Sequence, residues 1–219
     1  MLALVGSGEY LEPMQAVDRY LIGSLAESAR VVCLPTAAGT EGENRIAYWS
    51  DLGVEHFKRL GVDWVEAVPV IDRPSADNPA LAERIRAANF VYLSGGKPDY
   101  LLRTLKGSRA LEAILDVYNK GGILAGCSAG AMVMGESIPG ILRWTEAFKL
   151  FPKAVIIPHY DEMPGWLIWW ARLASRRKAT LYGIEGFTAL LVNGRQLRVV
   201  GRGSVTVWDK TGKVMIKAI

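Results

Sequence analysis

The sequence predicts an α/β fold in which a mostly parallel sheet carries helices on both faces, and two observations support this fold class. Over the first two thirds of the chain, short apolar runs alternate with amphipathic stretches of helical period. The last third instead contains short runs joined by sequences typical of tight turns, such as Asn193-Gly194. Strands that alternate with helices pair in parallel, whereas strands joined by tight turns pair antiparallel. We therefore expect C-terminal antiparallel strands, as a ribbon that finishes the parallel sheet.

The predicted strands are apolar runs that end at glycine, proline or polar residues. In the first two thirds they are residues 2–5, 30–34, 64–70, 90–93 and 123–125. Two further short strands are expected at residues 155–157 and 181–184, and the tail contributes residues 188–192, 196–201, 204–208 and 214–217.

The predicted helices lie between these strands. Residues 44–60 place most of their apolar side chains at three- and four-residue steps. A second helix runs to Ala88, with Asn78 as its cap and Pro79 in its first turn. Residues 98–105 and 108–119 predict two more. A tryptophan-rich stretch that starts at Pro164 also has helical spacing, and we expect it to face the core or the interface of a homodimer.

Composition and charge exclude several classes of protein. Half of the 219 residues are hydrophobic and 22% are charged, which excludes disorder and predicts a sizeable packed core. The length and the lack of a linker favour a single α/β domain over residues 1–219, with two small domains as the alternative. The net charge of +4 is mild, and basic residues are interleaved with acids except at Arg176-Arg177-Lys178, so we expect no nucleic-acid partner. No apolar run is long enough to span a bilayer and the first strand has no basic leader, which favours a cytoplasmic protein with no membrane partner.

The cysteines and histidines are too few and too scattered to suggest a disulfide scaffold or a metal site. Cys33 and Cys127 both lie within apolar runs, and His56 and His159 are far apart in the sequence. They offer no clustered ligand set, so we expect neither a metal nor a cofactor.

The most informative segment is residues 123–132, where a strand, a sharp turn and a helix start carry the pattern Gly-x-Ser-x-Gly. A nucleophile at the tip of such a turn has strained backbone torsions, and only small residues two positions away avoid a clash. For Ser128 those positions are Gly126 and Gly130, whereas for Cys127 both are alanines. The spacing therefore predicts that Ser128, and not Cys127, is the nucleophile.

A serine nucleophile needs a base to remove its hydroxyl proton, and the chain offers two histidines. His56 lies within a predicted amphipathic helix, where a structural role is expected. His159 follows the apolar run at residues 155–158, so it stands at the tip of a predicted strand, where functional residues of parallel sheets gather. We therefore expect His159 to be the catalytic base.

A carboxylate must orient the imidazole and stabilise its cation. The candidates are Glu136, Glu146, Asp161 and Glu185. Asp161 is only two residues from His159 and would need an unusual turn, whereas Glu185 follows a short predicted strand. Residue types and spacing leave all four candidates open.

Six segments, in order along nearly the whole chain, are similar to one known family. They are Gly6-Ser7-Gly8-Glu9, Pro35-Thr36-Ala37, Ser94-Gly95-Gly96, residues 126–131, Pro158-His159-Tyr160 and Gly183-Ile184-Glu185-Gly186. Together they resemble the serine peptidases typified by aspartyl dipeptidase (dipeptidase E) and cyanophycinase. The resemblance implies a fold like the class I glutamine amidotransferase domain, which is flavodoxin-like.

The resemblance also implies a Ser–His–Glu triad of Ser128, His159 and Glu185. The amides of Gly96 and Ala129 would then form the oxyanion hole. The implied activity is transfer of an acyl group from a short peptide to Ser128 and its hydrolysis by water, as in an exopeptidase or dipeptidase. An esterase or amidase would use the same triad. A non-catalytic binding protein on this scaffold is a third possibility, and the intact serine, histidine and glycine turn count against it.

Overall fold

The computed structural model describes residues 1–140, 144–166 and 179–218. Their helices are α1 (Gln15–Gly23), α2 (Glu43–Arg59), α3 (Arg73–Ala76), α4 (Pro79–Arg86), α5 (Pro98–Leu105), α6 (Arg109–Asn119) and α7 (Ala129–Met132). The strands within the first two thirds of the chain are β1 (Leu2–Val5), β2 (Arg30–Leu34), β3 (Trp64–Ala67), β4 (Phe90–Leu93), β5 (Ile123–Cys127), β6 (Ser137–Ile138) and β7 (Thr145–Glu146). The remaining strands are β8 (Ala154–Ile157), β9 (Thr180–Ile184), β10 (Thr188–Asn193), β11 (Gln196–Gly201), β12 (Ser204–Trp208) and β13 (Lys213–Lys217).

The main sheet has seven strands in the order β11-β10-β1-β5-β4-β2-β3. The five strands from β1 to β3 in this order pair in parallel, and β10 and β11 add two antiparallel strands at one edge. The carboxyl ends of the parallel strands therefore meet at one edge of the sheet, where the loops that follow them converge. The predicted α/β fold class is confirmed.

Alternate residues of the parallel strands enter two separate cores, one on each face of the sheet. Ala3 and Val5 of β1 pack with Val17 of α1 and Phe57 of α2. Leu2 and Leu4 pack on the opposite face, in the core that also contains buried residues of α4, α5, α6 and α7. Both faces of the sheet are thus covered by helices, which explains why its strands are continuous apolar runs.

The tail is divided between two sheets, which differs from the single ribbon that the sequence predicts. β10 and β11 extend the main sheet, whereas β12 and β13 join β9 and β8 in a separate four-stranded sheet of order β13-β12-β9-β8. The change occurs at Gly201, whose φ of 125° favours glycine, and at the turn that follows it. Turn sequences identify neighbouring strands but do not determine which sheet they join.

Most predicted element boundaries agree with the structure to within one or two residues, and the differences are local. Asn78 caps α4 through its side chain, which accepts a hydrogen bond from the Ala80 amide. β3 ends at Ala67, three residues before the predicted end, and β5 continues through Cys127. The short helix α1 was not predicted. The tryptophan-rich stretch falls mostly on residues 167–178, outside the described residues, as does Arg176-Arg177-Lys178.

A helix able to cross a membrane would need a long apolar run, and none of the helices in the described residues has one.

A buried histidine–aspartate pair joins the two helices α1 and α2. His56 of α2 and Asp18 of α1 are 1% and 0% exposed, and their Nε2 and Oδ2 atoms are 2.8 Å apart. Burial raises the pKa of Asp18 above its ordinary value, and the hydrogen bond from His56 partly opposes this effect. The predicted structural role of His56 agrees with this placement.

We expect His56→Ala to lower the free energy of unfolding by about 3–5 kcal/mol, because it leaves the Asp18 carboxylate buried without its partner. Denaturant unfolding followed by circular dichroism measures the change. Glu27→Ala, which removes an exposed pair with Arg30, is the control and is expected to have little effect. A loss for His56→Ala no larger than that of the control would contradict the assigned role.

Candidate active site

The turn between β5 and α7 has the strained geometry that the Gly-x-Ser-x-Gly spacing predicts. Ser128 has φ 48° and ψ −105°, a conformation that few residues with a side chain adopt. Two backbone hydrogen bonds hold it there: its amide donates to the Val5 carbonyl at 3.0 Å, and its carbonyl accepts from the Met132 amide at 2.9 Å. Ser128 is half-buried at the carboxyl edge of the sheet.

The two glycines of the pattern are required by close backbone contacts. A Cβ atom at Gly126 would lie 2.5 Å from the Gly130 carbonyl carbon, and a Cβ atom at Gly130 would collide with the Leu93 carbonyl oxygen. Any side chain at either position would therefore push α7 away from β4 and β5.

His159 reaches Ser128 from the second sheet. It follows β8, and its Nε2 atom lies 3.0 Å from the Ser128 Oγ atom. Its φ of 110° is also strained for a residue with a side chain. The amides of His159 and Tyr160 both donate to the Ile184 carbonyl, at 3.3 and 3.2 Å, which ties this segment to the end of β9.

The neighbouring residue Tyr160 is held by two contacts, one at its ring and one at its hydroxyl group. Its ring lies against Gly183, where a Cβ atom would overlap it, and its hydroxyl accepts a hydrogen bond from the Trp208 indole at 2.6 Å. These contacts limit how far the histidine segment can move relative to β9 and β12.

Glu185 lies next to this segment, but its carboxylate faces another partner. The register of β9 and β12 places Glu185 beside Ser204, whose amide donates to the Glu185 Oε2 atom at 2.7 Å. Across the described ranges 1–140, 144–166 and 179–218, no carboxylate lies within hydrogen-bond distance of His159. The structure thus brings Ser128 and His159 together and does not add Glu185 to them through a hydrogen bond.

The other three candidate acids are also engaged elsewhere. Asp161 accepts a hydrogen bond from the Gly186 amide at 2.9 Å, and Glu136 accepts one from the Lys153 amide at 2.9 Å. Glu146 is exposed and pairs with Lys149 at 2.8 Å.

Two backbone amides beside Ser128 are available as donors. Gly96 has φ 138°, and a Cβ atom there would lie 2.7 Å from the Ala37 carbonyl oxygen, so only glycine fits this part of the loop after β4. Ala129 is the first residue of α7, and a first-turn amide has no partner within its own helix. Among the described residues, neither amide donates a hydrogen bond.

Cys127 is fully buried in the core on the α1 face. Burial raises the pKa of its thiol well above the ordinary value, and the nearby Glu9 carboxylate raises it further. Burial likewise raises the pKa of Cys33 to about 12. A thiol in such surroundings is a poor nucleophile, which agrees with the preference for Ser128 over Cys127.

Sequence reasoning assigned no role to one charged residue at this site. Glu9 is only 7% exposed, and its Oε1 atom accepts a hydrogen bond from the Gly95 amide at 2.8 Å. The position of Glu9 in the sequence could have indicated a role. Glu9 lies in the loop after β1, and β1 pairs directly with β5, so this loop lies close to the turn at Ser128.

A cofactor or metal would need a set of suitable ligands. Within the part of the chain that the structure describes, no group of three or more His, Cys, Asp or Glu residues lies close enough together to hold a metal ion.

Comparisons with known proteins identify the family and the fold. The family model described as peptidase family S51 matches residues 2–200. An uncharacterized peptidase of Listeria innocua is 26% identical over 179 residues, which cover 76% of this chain and 82% of that protein. A cyanophycinase of Synechococcus elongatus is 25% identical over 166 residues, which cover 70% of this chain and 52% of that protein. The crystal structure of a peptidase from an acI-B1 actinobacterium has a TM-score of 0.87 and 33% identity, and covers 99% of this chain and 93% of its own.

We expect both thiols of the folded protein to resist alkylation, because burial raises their pKa values and excludes the reagent. Iodoacetamide treatment followed by peptide mass spectrometry would find Cys33 and Cys127 unmodified in the native protein and modified after denaturation. Rapid alkylation of native Cys127 would contradict the burial of its thiol and reopen the choice of nucleophile.

Proposed function

The chain belongs to peptidase family S51, and from this premise we propose that it is a serine peptidase that hydrolyses short peptides, with Ser128 as nucleophile and His159 as base. The observation that carries the proposal is the 3.0 Å contact between the Ser128 hydroxyl and the His159 Nε2 atom, at a strained strand-to-helix turn. A hydroxyl in this position can pass its proton to the imidazole as its oxygen attacks a carbonyl.

The proposed reaction has two steps. Ser128 Oγ bonds to the peptide carbonyl carbon while its proton moves to His159, and the peptide C–N bond then breaks as His159 gives that proton to the leaving amine. Water then attacks the acyl-enzyme carbonyl carbon while its proton moves to His159, and the bond to Ser128 Oγ breaks as His159 gives that proton to the serine oxygen, which releases the acid and free Ser128. Both steps pass through a tetrahedral intermediate with a negatively charged oxygen.

The amides of Gly96 and Ala129 are the proposed donors to that oxygen. Their lack of other hydrogen-bond partners among the described residues supports this role. One donor directly follows the nucleophile and the other belongs to a glycine loop that no side chain obstructs, an arrangement typical of oxyanion holes.

Glu185 is the proposed acid that stabilises the imidazolium. Its backbone follows Ile184, whose carbonyl binds the amides of both His159 and Tyr160. The Ser204 amide occupies one carboxylate oxygen, and the second has no hydrogen bond to a described residue. A carboxylate fixed in this position can supply the counter-charge that the imidazolium requires.

The proposed substrates are short peptides, as for an exopeptidase or dipeptidase, and family membership is what supports them. Two free buried cysteines support a reducing, cytoplasmic setting for this activity.

We expect the protein to hydrolyse members of a panel of di- and tripeptides, and Ser128→Ala to lower the rate by roughly 10³-fold or more, because the nucleophile is lost. Liquid chromatography of the products measures the rate. Labelling by a fluorophosphonate probe should map to Ser128 by mass spectrometry and persist at Ser128 in Cys127→Ala. Labelling that survives Ser128→Ala but disappears in Cys127→Ala would overturn the assignment. Hydrolysis of simple esters without any peptide cleavage would favour an esterase instead.

A matched pair of variants tests the triad acid. We expect Glu185→Gln to fold normally and to lower kcat by about 10⁴-fold, because the amide still accepts the Ser204 hydrogen bond but provides no counter-charge. Asp161→Asn likewise keeps its hydrogen bond to the Gly186 amide and should change kcat far less. A large loss in Asp161→Asn together with an active Glu185→Gln would transfer the role to Asp161.

A further inference from the structure

Glu9 is a buried carboxylate beside Ser128 that lies outside the proposed triad. It belongs to the loop between β1 and α1 and is 7% exposed. A charged side chain is rarely buried unless hydrogen bonds compensate the loss of water. The groups that contact the Glu9 carboxylate therefore indicate which part of the structure it stabilises.

The first partner of Glu9 is the loop after β4. The Gly95 amide donates to the Glu9 Oε1 atom at 2.8 Å, and a hydrogen bond to a charged acceptor is stronger than one between neutral groups. Gly95 directly precedes Gly96, one of the two proposed oxyanion donors. The neighbouring Tyr10 adds a second link, since its hydroxyl lies 3.1 Å from the Ser94 Oγ atom.

Glu9 itself is tied to the nucleophile turn through the strand before it. The Ser128 amide donates to the carbonyl of Val5, the last residue of β1, at 3.0 Å, and Glu9 lies four residues beyond Val5. Ala129 directly follows Ser128. The Glu9 carboxylate therefore connects the loop that carries Gly96 to a segment that is bonded to the turn carrying Ala129.

Gly95 shows how little space separates these groups. A Cβ atom at Gly95 would lie 2.7 Å from the Glu9 Oε1 atom and 3.6 Å from the Ser128 Cβ atom. Gly95 is thus enclosed between the carboxylate and the nucleophile, and a change in the position of Glu9 would be transmitted directly to the loop.

We propose that Glu9 is a positioning residue that fixes the separation of the Gly96 and Ala129 amides and so sets the width of the oxyanion hole. This inference rests on the proposed function, in which those amides are the donors. The two donors lie on different loops, and Glu9 joins the loop of Gly96 to the strand that is hydrogen-bonded to the Ser128 turn, which holds the two donors in register. Donors must lie about 2.7–3.1 Å from the developing oxyanion, and a displacement of about 1 Å costs up to a hundredfold in rate.

Glu9→Gln and Glu9→Asp test the inference, because they separate the length of the side chain from its charge. Gln keeps the length and an oxygen that accepts the Gly95 hydrogen bond, whereas Asp keeps the charge but is one methylene shorter. We expect Gln to retain most of kcat. Asp should lower kcat by about ten- to a hundredfold with KM little changed, because a displaced donor weakens binding of the transition state and not of the substrate.

Amide hydrogen exchange of residues 94–97, followed by mass spectrometry, measures the loop independently of activity. We expect faster exchange in Glu9→Asp and unchanged exchange in Glu9→Gln. Asn89→Ala is the matched control, because the Asn89 side chain accepts the Arg30 amide hydrogen bond at 2.7 Å in the same manner at the opposite edge of the sheet. It should change neither kcat nor exchange of residues 94–97.

The reverse pattern would overturn the inference. Raised KM in Glu9→Gln with normal kinetics in Glu9→Asp would indicate that the charge binds an ammonium group of the substrate. Exchange at residues 94–97 that is the same in Glu9→Asp and wild type would show that Glu9 does not hold the loop. If the wild-type protein cleaves no peptide, the proposed function itself has failed. This result differs from the outcomes above, because each of them compares a variant with a measurable wild-type rate or exchange.

Discussion

The geometry of the site depends on how closely the backbone at the Ser128 turn packs against its neighbours. Gly126 faces the Gly130 carbonyl group, and Gly130 faces the Leu93 carbonyl group, with no space for a side chain at either position. This contact draws α7 against β4 and β5. As a result, the Ser128 hydroxyl, the Ala129 amide and the loop after β4 occupy one small region at the carboxyl edge of the sheet.

A second close contact joins the two sheets that provide the serine and the histidine. Gly6, directly after β1, lies against the carbonyl groups of Ile184 and Glu185, where a Cβ atom would overlap them. The Ile184 carbonyl in turn binds the amides of His159 and Tyr160. The distance between Ser128 in one sheet and His159 beside the other is therefore set by backbone contacts, which deform less than side-chain contacts.

The sequence could predict what is encoded locally. Asn78 caps its helix as its residue type indicates, and the contact that requires glycine at position 126 is with Gly130, within five residues. Partners set by long-range pairing could not be predicted. The Ser204 amide binds Glu185 because β12 pairs with β9, and the sequence does not encode this pairing in any short segment. The hydrogen bond between Glu9 and Gly95 joins residues 86 positions apart, so no local sequence pattern predicts it.

The two histidines show why strain is informative about function. His56 lies in a regular helix, fully buried, and bonds to Asp18, so its environment stabilises the fold without unusual torsions. His159 is half-buried with φ 110°, and it meets Ser128 with φ 48°. Strained torsions cost about 1–3 kcal/mol each and persist only where the surroundings enforce them. Hydrogen bonds to Val5, Met132 and Ile184 provide that enforcement here. The fold gains no stability from maintaining two strained residues in contact at the carboxyl edge of the sheet, and this cost is the physical argument for the proposed catalytic pair.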